Sequence, residues 1–241
     1  MPDAYTDIPA AAAVAALGLD RHFDGRTTLW PFDTADQAIA RIEADPAMKA
    51  AMARAVPDWR EAERRKHRRP WGVRHYPTHA VVAGTLDLDA LADSDTLAGI
   101  VVDGDLEIFG SLINREPDTV VPFVVVRGCL HCDNLLVAGS DVTVAEHAAV
   151  ANLAAITDNQ AWVDIGGDVS ARLFIMDSDG FARVGGTVRG HGWSRSRNAE
   201  LPVRQSDWRA EIRPEYRDDL LDADGEPADR FALFAALMEG R

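Results

Sequence analysis

One pentad returns six times along the middle of this chain, and it constrains the fold more than any other feature. Its copies are Val82-Ala-Gly84-Thr-Leu86, Val102-Asp-Gly104-Asp-Leu106, Val126-Arg-Gly128-Cys-Leu130, Val144-Ala-Glu146-His-Ala148, Ile165-Gly-Gly167-Asp-Val169 and Val184-Gly-Gly186-Thr-Val188. An aliphatic residue opens each copy, a small or aliphatic one closes it, and glycine stands between in all but the fourth. The opening residues are 20, 24, 18, 21 and 19 positions apart, and the longest interval holds Asn114-Arg-Glu-Pro-Asp118, which reads as an inserted loop. A second large apolar residue follows within each period: Leu91, Leu112, Leu135, Leu153, Leu173 and Trp193. A period of about 20 residues holds two or three short strands and their turns. One such unit cannot bury its apolar side alone, whereas units stacked ~4.8 Å apart build continuous ladders of Val, Leu and Ile. The pattern therefore predicts a mainly β chain, a parallel β-solenoid of about six coils, with glycines permitting its corners. A β-sandwich also has short strands and regular turns, but it gives no reason for a pentad to recur at this period.

The flanks read differently. Residues 1–76 are expected to be helical: Pro9 opens an Ala-rich helix that Gly18 ends, Thr34 with Gln37 forms a capping-box pattern, and Asp45-Pro46 and Pro57 mark further starts. The last of these helices runs into Arg60, Arg64, Arg65, Lys66, Arg68 and Arg69, read as a solvated helix end whose cations complement the dipole. The solenoid is assigned to 77–193. Residues 194–241 form a charged linker and a C-terminal helical cap, with Asp229 to Met238 amphipathic and Gly240 as its terminator. Helical flanks are expected to cap both ends, because open strand edges invite aggregation.

Composition narrows the partners. With 25 Lys and Arg against 39 Asp and Glu, the net charge is -14, which opposes general binding to nucleic acid or to an anionic membrane. Cys129 and Cys132 are the only cysteines, so there is no disulfide framework. The apolar run Ala10 to Leu17 follows Asp3 and Asp7 and no basic residue, unlike a signal peptide. A cytoplasmic protein is expected, without metal or cofactor.

The reactive-looking motifs are read as structural. Cys129-Leu-His131-Cys132 lacks a second cysteine pair, and His131 and His147 complete a zinc set only if adjacent coils align them. Pro77 separates His75 from His79. Asp177-Ser-Asp179-Gly180 and Asp222-Ala-Asp224-Gly225-Glu226 lack a calcium loop's spaced Glu, and the Gly166-Gly167 and Gly185-Gly186 pairs open no helix. No catalytic residue is assigned. The charge pattern remains: Asp103, Asp105 and Glu107 alternate as though along one strand, and Asp218, Asp219, Asp222 and Asp224 precede the last helix. These carboxylates are the expected partner-binding residues, suited to a basic protein domain.

The V-x-G-x-L coils resemble those of bactofilins, the polymer-forming bacterial β-helix proteins, and of β-helical immunity proteins encoded beside bacterial polymorphic toxins. The resemblance covers roughly residues 80–193. The long helical flanks and acidic tail are more similar to the immunity group, and imply a monomer or small oligomer that neutralises a toxin or enzyme domain through an acidic face. The bactofilin resemblance implies a self-associating scaffold instead. A β-helix acyltransferase is the third alternative, but its strict hexapeptide period is missing.

Overall fold

The computed structural model describes residues 5–19, 35–67, 71–92, 97–115, 122–157, 161–176, 180–194, 209, 212–223 and 229–239. Its centre is a parallel β-solenoid of about five turns, slightly fewer than the six coils expected, because the first and last of its six stacked rungs are the ends of the stack. Each turn has up to three short sides, here called faces A, B and C in chain order. Face A stacks β2 (Gly72–Tyr76), β5 (Leu97–Val102), β8 (Phe123–Val126), β10 (Asp141–Val144), β12 (Trp162–Ile165) and β14 (Phe181–Val184) in parallel register. Face B holds β3 (Ala80–Ala83), β6 (Leu106–Phe109) and the first halves of β9 (Leu130–Val137), β11 (Ala148–Ile156), β13 (Val169–Met176) and β15 (Val188–Ser194). Face C is built by the second halves of those long strands, with β4 (Leu86–Asp87) and β7 (Ser111–Asn114) in the earlier coils.

The pentads form the corner between faces A and B. Val102, Leu106, Val126, Leu130, Ile165 and Val169 are buried in one ladder core, with Val184 and Val188 packed against it. Most pentad glycines stand there because neighbouring coils come too close for a side chain. A Cβ on Gly128 would land on Asp105 Oδ1 and lie 2.8 Å from the Gly104 carbonyl carbon; one on Gly186 would land on Asp168 Oδ1, 2.8 Å from the Asp168 nitrogen. Only Gly84 among the pentad glycines has a positive φ, 90°, so close stacking rather than a sharp corner accounts for the motif.

The long strands bend between faces B and C, where the register of β11 shifts against both of its neighbours. The alternation slips at this bend. Leu112 and Leu135 point inward as the repeat implies, but in the later coils Ala154 and Phe174 take the inner place. Leu153 and Leu173 face outward instead, into a second apolar cluster.

Seven α-helices accompany the solenoid among the described residues: α1 (Ala10–Leu17), α2 (Ala35–Ala44), α3 (Pro46–Ala55), α4 (Trp59–His67), α5 (Leu88–Ala92), α6 (Arg217–Leu220) and α7 (Arg230–Met238). Pro9 and Gly18 bound α1 as read, Gly18 in the left-handed region at φ 62°. Asp45 caps α3, its Oδ1 accepting from the backbone nitrogens of Ala47 at 2.8 Å and Met48 at 3.1 Å. Thr34, the Ser194–Asn198 connection beyond Ser194, Pro227 and Gly240 lie outside the described residues.

The expected helical region 1–76 needs correction. It also contains two strands, because β1 (Thr6–Pro9) pairs antiparallel with β2, and β2 is itself the first rung of face A. The caps differ as well. β1 closes the first edge of face A, and α1 lies over the outside of that face, where Ala10, Ala13 and Leu17 join Val101, Phe123 and Val125. The C-terminal helix covers a side rather than an end: Leu233, Phe234 and Leu237 of α7 pack on Ile113, Leu136, Ala155 and Ile175 of face C. No helix among the described residues is long and apolar enough to cross a membrane.

Candidate functional site

The acidic residues singled out in the sequence separate into three environments. Asp103 and Asp105 sit in the corner between β5 and β6, not along one strand. Asp103 Oδ2 lies 2.8 Å from His75 Nε2, and its Oδ1 lies 3.0 Å from Arg127 Nη1. Arg127 also donates to the Leu17 carbonyl at the end of α1, so Asp103 helps tie the N-terminal helix to three consecutive coils. Asp105 Oδ1 accepts from the Cys129 backbone nitrogen at 2.7 Å. Both carboxylates hold coils together, and the reading that set them along one strand with Glu107 fails because the chain turns there.

The same linkage recurs down the corner. His147 Nδ1 accepts from the Asp168 nitrogen at 2.9 Å, which puts the ring hydrogen of neutral His147 on Nε2. Asp168 Oδ1 accepts from the Thr187 nitrogen at 2.8 Å, and this bond holds its carboxyl below the usual carboxylate range. Three of the corners thus present a side-chain acceptor, Asp105, His147 or Asp168, to the next coil's backbone. Glu107 alone of the first acidic trio is on a strand, and its side chain points out from face B.

Asp218, Asp219 and Asp222 are exposed, on the segment leading towards α7, while Asp224 lies outside the described residues. Leu220 of that segment packs in the cluster over face C. The corner between A and B lies across the coil from face C, so the two acidic groups do not form one wall.

The cysteine and histidine candidates diverge. Cys132 points into the ladder core, and burial pushes its thiol up to about 12. Cys129 is at the corner with Sγ 3.5 Å from Glu146 Oε2. The backbone N–H of His147 directed at its sulfur favours the thiolate, but burial and the carboxylates of Glu146 and Asp105 outweigh it and raise the thiol. His131 is exposed on face B. Among the described residues, no three or more His, Cys, Asp and Glu side chains gather as a metal site would require. In the basic run, Arg60 Nη2 reaches Glu43 Oε1 at 2.6 Å and its guanidinium lies over Trp59; Arg64 is 3.9 Å from Glu61. The side chains of Arg65 and Lys66, and all of Arg68 and Arg69, lie outside the described residues.

What the pentads do not reveal is the surface of face B. Face A is covered by α1 over its early coils and face C by α7. On face B, the register chain Val81, Glu107, His131, Ala149, Ser170, Arg189 runs up the outer surface, one residue per rung. Beside it stand Phe109, 63% exposed, and exposed Asp133 and Ala151. The short side chains of Ala149, Ala151 and Ser170 leave an open depression of about 320 Å³, bordered by Glu107, Phe109, His131 and Asp133. A signal for it exists in the sequence: once Leu106 and Ile108 point inward, Phe109 follows Glu107 on the outside, an anomalous place for a large aromatic.

No protein-family model, curated protein or solved structure matches the chain.

Proposed function

We propose that the chain is a non-enzymatic binding protein that neutralises a basic toxin or enzyme domain, with face B as its recognition surface. The observation that carries this reading is the sheet face that α1 and α7 leave open among the described residues, with an exposed Phe109, an exposed Asp133 and a half-buried, outward-pointing Glu107 beside a depression. An apolar contact rimmed by charge is the usual composition of a protein-binding patch, and a parallel sheet tied coil to coil loses little freedom on association. The net charge of -14 favours a cationic partner. Residence in the cytoplasm fits two free cysteines, one of them buried in the core. Relative to the acidic groups read from the sequence, the site keeps Glu107, gains Asp133 and Phe109, and leaves Asp103 and Asp105 to the scaffold.

Self-association end to end is the second reading. In its favour, Val184 and Val188 of the last coil are only half-buried, whereas Ile165 and Val169 one coil earlier are 1% and 0% exposed. Against it, the antiparallel β1 occupies the first edge of face A, so a head-to-tail filament has no matching parallel edge there.

The test measures association with the basic domain of a toxin encoded beside this chain's gene. Charge reversal by Glu107→Lys with Asp133→Lys is expected to slow association at least about tenfold, and added salt to slow the unaltered protein, since exposed charges are screened beyond about 8 Å at physiological ionic strength. Equal association rates with unchanged salt dependence would remove face B from the interface.

A further inference from the structure

Resting on face B as the recognition surface, we propose that its depression is a socket for one arginine side chain of the partner protein. Three features converge on a guanidinium rather than on a general cation or an apolar group.

The first is the pair of carboxylates. Glu107 and Asp133 point outward from adjacent rungs, two positions apart along the strand, with His131 in register beside Glu107. That offset separates their Cα atoms by roughly 8 Å, a span over which one planar, multi-donor group can donate to both. His79 Nε2 is 3.9 Å from Glu107 Oε2, beyond hydrogen-bond distance.

The second is Phe109. At 63% exposure its ring is presented to solvent at the rim of the depression. A guanidinium stacks on an aromatic face and is weakly hydrated, so it gives up less water on entering such a place than an ammonium does.

The third is the floor. Ala149 and Ala151 offer methyl groups and no competing charge, suited to the aliphatic stem of an arginine. A volume of about 320 Å³ admits one long side chain, the lower end of the range for small-ligand pockets. Arg189, on the same register line beyond Ser170, is paired with Asp168 at 3.0 Å, which leaves the negative end of the face to the incoming cation.

The probe is N-acetyl-arginine amide, titrated into the full chain while backbone amide shifts are followed by NMR, against N-acetyl-citrulline amide, its uncharged near-isostere. The arginine probe is expected to produce saturable shifts at Ala149, Ala151 and Ser170, and the citrulline probe to bind at least tenfold more weakly. Glu107→Gln with Asp133→Asn should weaken the arginine probe about tenfold, and Phe109→Ala several-fold. Equal binding of both probes, arginine shifts that map elsewhere, or no shifts into the tens of millimolar would each overturn the socket. The citrulline comparison needs no variant, so it stands even if a substitution disturbs folding. Arginine binding at these residues by a chain whose partner domain ignores face B supports the socket and sinks only the reading of the partner surface.

Discussion

Replacing Asn114 by alanine is expected to destabilise the solenoid by about 3 to 5 kcal/mol. This side chain is fully buried at the end of β7, where the chain leaves face C for the next coil. Its Oδ1 accepts from three consecutive backbone nitrogens one coil later: Ala138 at 3.1 Å, Gly139 at 2.6 Å and Ser140 at 2.9 Å. Its Nδ2 donates to Asp89 Oδ1 at 2.6 Å, linking it to α5. Alanine deprives the Ala138 and Ser140 nitrogens, both in buried residues, of their acceptor, and each unsatisfied donor costs about 1 to 3 kcal/mol. Asn114→Asp keeps the acceptor but sets a second carboxylate against Asp89, so it should fall between the two. Urea unfolding gives the comparison: the midpoint should drop steeply in Asn114→Ala while the slope, which follows exposed surface, stays unchanged. A loss below about 1 kcal/mol would mean that the turn is held by its backbone alone.

Leu130→Ala is expected to cost about 2 to 5 kcal/mol, from lost transfer energy and the cavity left behind. Leu130 is 0% exposed and lies in register between Leu106 below and Ala148 above. Ala148 is already small, so the neighbouring rung has little side chain with which to fill the space. Phe109→Ala provides the contrast. It removes a larger side chain, but one exposed on face B, and should change stability by under about 0.5 kcal/mol.

The parts of this fold that could be read from the sequence are those governed by local repetition. The six pentads determine which residues face inward at the first corner, and Pro9, Gly18 and Asp45 mark helix ends, because caps act through neighbouring backbone groups. The slip at the second corner was not readable. It shifts the inner position from Leu153 to Ala154 and from Leu173 to Phe174, and a strand bend leaves no fixed residue type behind. β1 is likewise hidden, since four residues become a strand only when β2 offers an edge.

The site was only half legible for the same reason. Asp103 and Asp105 look like free surface charge in one dimension, yet their partners, Arg127 and the Cys129 nitrogen, lie one coil further on. The glycines of the pentads beyond Gly84 now have a physical reason that the motif itself does not state: the preceding coil's acceptor or backbone fills the space of the missing side chain. Face B becomes visible as a site only after α1 is seen to cover the early coils of face A and α7 to cover face C.

The central claim, a parallel stack whose face B carries one residue of the register chain per rung, is tested most directly by distances along that face. Spin labels at Arg189 paired in turn with labels at Val81, Glu107 and His131 span five, four and three rungs by the register of the strands. Measured by pulsed electron spin resonance, the separations should be roughly 24, 19 and 14 Å, shortening by one ~4.8 Å step per coil. Separations that fail to shorten in this order, as in a sandwich of antiparallel hairpins, would contradict the solenoid and the recognition face built on it.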